Sequence, residues 1–211
     1  MSSSPAPPLV QRYVPAQRVI HWVGVASFLL LLCSGIVLFR PLGALAAGGL
    51  SRLLHRLAAV PFIALPVVYA LLLPTHAKEL VLESFRITGR DREWLRRLPA
   101  YLIGRTRGLP PQGRLNAGQK LHHAATFLMF SSISGSGLVL WFAKGHLGPT
   151  GLAVAAIVHD LSMLGLSVLM IGHVYFTFLY DALSAMRTGF VTEDYARMEH
   201  REWFEDLSRD K

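Results

Sequence analysis

Four apolar stretches constrain this chain more than any other feature. They run over residues 18–39, 52–73, 120–142 and 152–180. Each reaches the roughly 20 residues that a helix needs to cross the hydrocarbon core of a bilayer. Lipid offers no partner to a bare N–H or C=O, so apolar runs of this length predict helices that bond within themselves. The fourth exceeds a crossing and is expected to tilt or project from the lipid. Only 16% of residues are charged, against about 25% in ordinary soluble domains. The expected fold is therefore all-α, an integral membrane four-helix bundle.

The rest of the chain divides around the spans. Residues 1–17 read as a tail, 18–180 as the four-span domain with a long connection over 74–119, and 181–211 as a second tail. The start is polar and proline-rich, without the short apolar region and small-residue cleavage site of a signal peptide. No internal repeat is visible.

Lysine and arginine set the orientation. The connection carries Lys78, Arg86, Arg90, Arg92, Arg96, Arg97, Arg105, Arg107 and Arg114. Arg12, Arg18, Arg187, Arg197, Arg201, Arg209 and Lys211 add to the same side, whereas the other side has little beyond Arg40, Arg52, Arg56 and Lys144. The positive-inside rule makes the basic side cytoplasmic, with both termini there. The net charge of +8 follows from topology and anionic lipid headgroups and calls for no nucleic acid.

Ionisable groups are costly in lipid and mark function there. His21, His55, His159 and His173 each lie in or at the edge of a span. Two imidazoles from facing helices can hold a haem iron from both sides. Depth along the spans pairs His55 with His159 near the outer face and His21 with His173 nearer the cytoplasm. Fourteen residues separate His159 from His173, about 21 Å along a helix and ~40° short of four turns, so both can face one side. Two haems stacked across the membrane would suit transmembrane electron flow. A single buried histidine is as readily explained by a hydrogen bond to a neighbour; joint placement in two depth-matched pairs favours the metal.

The single cysteine, Cys33, excludes a disulfide framework, covalent haem attachment and an iron–sulfur cluster within the chain. Any haem would be b-type, and Cys33 is expected as a small core residue. Of the other histidines, His76 could rival His21 or His173, His122 and His123 would cap the membrane edge or deliver protons, and His146 and His200 would be solvated. Trp22, Trp141, Tyr13 and Tyr180 fit interfacial anchoring. Small residues such as Gly35, Ser136, Gly137, Gly165 and Gly172 would admit close helices or a flat macrocycle.

The segments R-V-I-H-W at 18–22, L-H-R at 54–56 and R-L-N-A-G-Q-K at 114–120, with the two histidines of span four, resemble the cytochrome b (gamma) subunit of respiratory formate dehydrogenases. The resemblance covers nearly the whole chain, and N-A-G-Q-K is its sharpest mark. It implies a subunit of the bacterial cytoplasmic (inner) membrane that passes electrons to membrane quinone. It implies two haem b with His21, His55, His159 and His173 as axial ligands, and a quinone site that includes Asn116 and Gln119. It also implies partners: an iron–sulfur subunit and a molybdenum or tungsten catalytic subunit that oxidises formate. Polar residues before a helix are equally often caps, so both readings of Asn116 and Gln119 stand. Asp160 beside His159 departs from the small apolar residue expected there, and could tune the outer haem. The alternatives are a cytochrome b subunit serving a hydrogenase or thiosulfate-type reductase, a stand-alone cytochrome b oxidoreductase, and a haem-free membrane anchor or proton relay.

Overall fold

A computed structural model describes residues 8–39, 49–180 and 182–209. The proline-rich residues 1–7, Arg40 and Lys211, all used above, lie outside the described residues. Four helices are long and apolar enough to cross a membrane: α1 (Pro15–Leu38), α2 (Gly49–Leu72), α6 (Ala117–Phe142) and α7 (Pro149–Leu179). They match the four expected stretches to within about three residues, the usual uncertainty of helix ends. Short elements fill the rest: β1 (Leu9–Gln11), α3 (Pro74–Phe85), α4 (Gly89–Arg96), α5 (Leu98–Tyr101), α8 (Leu183–Thr188), β2 (Phe190–Thr192), α9 (Glu193–Glu199) and α10 (Arg201–Arg209). The chain forms two compact units, one of residues 13–78 and one of the described parts of 1–12 and 79–211.

The smaller unit is the α1–α2 hairpin. Gln17 turns back to accept from the Val14 N–H at 3.1 Å and donates to the Tyr69 hydroxyl at 2.9 Å, tying the start of α1 to the end of α2. Phe28 packs near Phe62. Pro61 and Pro66 lie inside α2, where each removes a backbone donor and favours a bend. Cys33 is exposed rather than a core residue; the neighbouring Ser34, about 100° further round the helix, is the one buried against α2.

The larger unit pairs α6 with α7 and carries a polar cap at one end of that pair. β1 and β2 run antiparallel, with Leu9 opposite Thr192 and Gln11 opposite Phe190, joining the N-terminal segment to the C-terminal one. Helix α7 has 31 residues, about 46 Å against a hydrocarbon core of about 30 Å. Its surplus is used by the cap: Tyr180, at its C-terminal end, is buried with Trp94, Tyr101 and Ala117, and its ring stacks on Tyr101 with centroids 4.3 Å apart. Tyr180 is thus a core residue of the cap and not an interfacial anchor.

His200 is likewise buried, at 0% exposure, where solvation was expected. Its Nδ1 lies 3.0 Å from the Gly113 carbonyl and its Nε2 3.3 Å from Arg12 Nη2. A carbonyl only accepts and a guanidinium only donates, so the ring is neutral with its hydrogen on Nδ1. Burial first, then the adjacent Arg12 charge, hold its pKa well below the usual imidazole range. Arg12 also donates to the Arg114 carbonyl and lies over the Trp203 ring. Three segments far apart in sequence meet here, which no local pattern announces.

Candidate functional site

The N-A-G-Q-K segment starts α6 and every residue of it has a structural task. Asn116 is the N-cap: its side chain accepts from the Gln119 N–H at 2.9 Å, and the Gln119 side chain accepts from the Asn116 N–H at 3.1 Å. This reciprocal box satisfies two of the orphan donors at a helix start. Asn116 is only 2% exposed, and its amide is 3.4 Å from both the Tyr101 hydroxyl and Glu199 Oε2. Tyr101 donates to the same Glu199 oxygen at 2.9 Å. Burial raises the Glu199 pKa, against the lowering effect of these two bonds.

Ala117 is buried. Gly118 leaves room for Trp94: a Cβ there would stand 2.9 Å from Trp94 Cη2. Gly118→Ala is therefore expected to lower stability by about 1–3 kcal/mol through overpacking, because the buried indole has nowhere to move. Thermal unfolding followed by tryptophan fluorescence checks this; an unchanged midpoint would show that the contact relaxes freely. Lys120 completes the segment with a buried ion pair to Asp91 at 3.0 Å.

The candidate ligands fall two to each unit. In the hairpin, His55 Nδ1 lies 2.9 Å from Ser34 Oγ, and that hydroxyl donates to the Leu30 carbonyl at 2.6 Å. With its one proton spent on Leu30, the oxygen accepts from His55, so the imidazole carries its hydrogen on Nδ1 and the lone pair on Nε2. In the larger unit, His159 Nδ1 lies 3.2 Å from Ser136 Oγ and 3.1 Å from the Ile133 carbonyl. Ser136 donates to the Ser132 carbonyl at 2.7 Å, which fixes the same tautomer. Gly137 leaves space for this ring: a Cβ would stand 3.0 Å from His159 Cε1. A metal-binding histidine ordinarily donates its second ring N–H in this manner. His55 and His159 therefore fit the demands of an axial ligand.

The other two are held by rings. His21 meets Trp22 edge-on at 5.4 Å, and His173 stacks with His122 at 5.5 Å and 20°. His123 repeats the serine device, with Nδ1 3.0 Å from Ser84 Oγ, itself bonded to the Leu80 carbonyl. The device alone thus does not define an axial ligand. It becomes informative with depth and helix identity.

The sequence reading missed Ser34 as a partner and took Ser136 for a packing residue. The available signal was depth within a hairpin, since Ser34 and His55 stand within two turns of the same connection. With His55 as a haem ligand, the reading proposed below, Ser34→Ala is expected to weaken haem retention by about 10- to 100-fold. Ser136→Ala is expected to be milder, because the Ile133 carbonyl still accepts from His159. Haem titration of the two purified variants checks the order, and equal losses would contradict it.

Comparison with known proteins agrees with this architecture. The formate dehydrogenase cytochrome b556(fdo) subunit of Escherichia coli K12 is 24% identical over 215 residues, covering 95% of this chain and 94% of that protein. The formate dehydrogenase cytochrome b556 subunit of Haemophilus influenzae is 22% identical, covering 94% and 83%. The nitrate-inducible formate dehydrogenase cytochrome b556(Fdn) subunit of E. coli K12 is 22% identical, covering 91% and 88%. The model of the prokaryotic cytochrome b561 family matches residues 12–189, and with its four membrane-length helices this chain belongs to that family, an integral membrane cytochrome with haem b as its cofactor.

Proposed function

We propose that this chain is the membrane subunit of a formate dehydrogenase complex, taking electrons from an iron–sulfur partner and delivering them to membrane quinone. The observation that carries the reading is the pair of Nδ1-anchored histidines, His55 and His159, on two different spans of a cytochrome b family member. The names of relatives spanning nine-tenths of the chain support the formate-oxidising partner, a molybdenum or tungsten protein.

His21, His55, His159 and His173 are assigned as axial ligands of two b haems, paired by depth along the chain as His55 with His159 and His21 with His173. Bound haem supplies reversible one-electron transfer. Ser34 and Ser136 hold the His55 and His159 imidazoles in one tautomer. Quinone gains two protons with its two electrons, and its site is assigned to the end of α6 that begins at Asn116. That end bears the basic connection, taken as cytoplasmic in the inner membrane, and the pairing of β1 with β2 supports termini on one side. Asn116 and Gln119 are assigned to orient quinone oxygens there through their amide NH2 groups, because the cap uses only their side-chain oxygens and backbone N–H groups.

Purification of the complex in mild detergent tests the reading. Formate is expected to reduce the b haems, and added quinone to reoxidise them. Asn116→Ser keeps a capping oxygen but removes the amide. It is expected to slow reoxidation at least severalfold while reduction by formate stays normal. Haems that formate cannot reduce would overturn the partnership, and unchanged reoxidation in the variant would remove Asn116 from the quinone site.

A further inference from the structure

The loop after α5 turns twice through positive φ, at Gly104 and Gly108. The turns fold it around an open pocket of about 480 Å³ lined by Arg97, Arg105, Thr106, Arg107 and Leu109. No ion pair neutralises these three arginines among the described residues, where the pairs present involve Arg90, Lys120, Arg197, Arg201 and Arg209. Arg97 is laid over the loop: a Cβ on Gly108 would stand 3.0 Å from its Nη1. The glycine turn thus lets a guanidinium approach closely at the pocket. Three guanidinium forks around a small cavity match the oxygens of a phosphate ester, which arginine binds bidentately.

The surroundings identify the source of that phosphate. The loop is fastened to the last turns of α7, where the Tyr175 hydroxyl donates to the Leu102 carbonyl and Gly104 faces Leu179. The pocket therefore lies beside the C-terminal end of a membrane-length helix. Ile103, in the same loop, and Phe178, one residue before Leu179, are 64% and 69% exposed, apolar surface that a free anion would leave uncovered. We propose that the Arg97–Arg105–Arg107 pocket is a binding site for the headgroup phosphate of an anionic phospholipid, whose acyl chains lie along Ile103 and Phe178.

The test uses the full chain purified in mild detergent, with phospholipid measured by native mass spectrometry. The variant R97Q/R105Q/R107Q is compared with R86Q/R92Q/R96Q, which removes the same charge from exposed positions outside the pocket. Wild type and control are expected to keep about one anionic phospholipid per chain, and the pocket variant to lose it. Affinity for short-chain phosphatidylglycerol is expected to fall at least about tenfold in the pocket variant only. Phosphatidylcholine is expected not to compete, nor is millimolar inorganic phosphate. Equal losses in both triple variants would reduce the site to a diffuse field and overturn the proposal. Displacement of lipid by inorganic phosphate would assign the pocket to a free anion and overturn it as well. Should the pocket variant fail to elute as a single species, R105K decides: it keeps the charge and loses the fork. A severalfold loss supports the site, and undiminished binding overturns it.

Discussion

Under the proposed two-haem assignment, replacing His55 or His159 by alanine is expected to remove one b haem and leave the other, halving the haem extracted per chain. His21→Ala and His173→Ala are expected to halve it too, with loss of the other haem. The reason is the chemistry of a group gripped by two protein atoms. Under the proposed assignment each haem would be held by two imidazoles, and removing one would leave it a single protein ligand. The serine partners grade the effect. Ser34 acts only through His55, so Ser34→Ala weakens retention where His55→Ala abolishes it. Pyridine haemochrome assay and redox titration separate the outcomes: one remaining spectral component of unchanged potential is expected in each histidine variant. Full two-haem occupancy in any of the four would sink that residue's assignment. His123→Ala is the informative control, because His123 is anchored by Ser84 as His55 is by Ser34. It is expected to keep both haems.

The four spans were legible in the sequence because lipid leaves the chain no choice: a run of twenty apolar residues has no alternative to a helix there. The same reason made the histidines conspicuous. The N-A-G-Q-K segment was visible as a mark without its cause. Its task depends on Trp94 over Gly118, Asp91 beside Lys120 and Glu199 beside Asn116, contacts from segments 20 to 80 or more residues away. Helix capping could be read locally, since an Asn followed three residues later by Gln is a cap pattern. His200 and Tyr180 were misjudged on either side of one boundary. His200 follows the last span, where a polar, charged sequence suggests a solvated tail, and Tyr180 closes that span, where an aromatic residue suggests an interfacial anchor. The sequence from 183 onward instead forms α8, β2, α9 and α10, and it wraps the end of α7 by burying a few aromatic and polar side chains among many exposed charges. Apolar periodicity does not report such a cap, because its core is built from Trp, Tyr, His, Asn and Glu.

Breaking the Lys120–Asp91 pair is expected to cost about 3–5 kcal/mol, the usual loss when one partner of a buried ion pair is removed. Asp91 is 1% exposed; both its oxygens lie 3.0 Å from Lys120 Nζ, which also donates to the Arg86 carbonyl. Lys120→Met leaves the carboxylate buried with only the Thr88 backbone and hydroxyl as donors. The pH dependence then reverses sign. In the wild type, burial opposes ionisation of Asp91. The Thr88 bonds and the Lys120 ammonium outweigh it and hold the pKa below the usual aspartate value. A lowered native pKa means that the pair stabilises fully above the unfolded value of about 3.9 and loses its contribution as pH falls through the native one. In Lys120→Met the burial cost is no longer met, so the carboxyl is expected to titrate above its unfolded value. Stability should then rise as pH falls towards 4, because protonation removes the uncompensated charge. Thermal unfolding in mild detergent from pH 8 to pH 4, read on Trp94 fluorescence, distinguishes the two slopes. The double variant Asp91→Leu with Lys120→Met is expected to recover part of the loss, short of the wild type because the Thr88 capping box goes with Asp91. A cost below about 1 kcal/mol for Lys120→Met, with no change of slope, would mean that solvent already screens the pair and that the cap is held by its aromatic cluster alone.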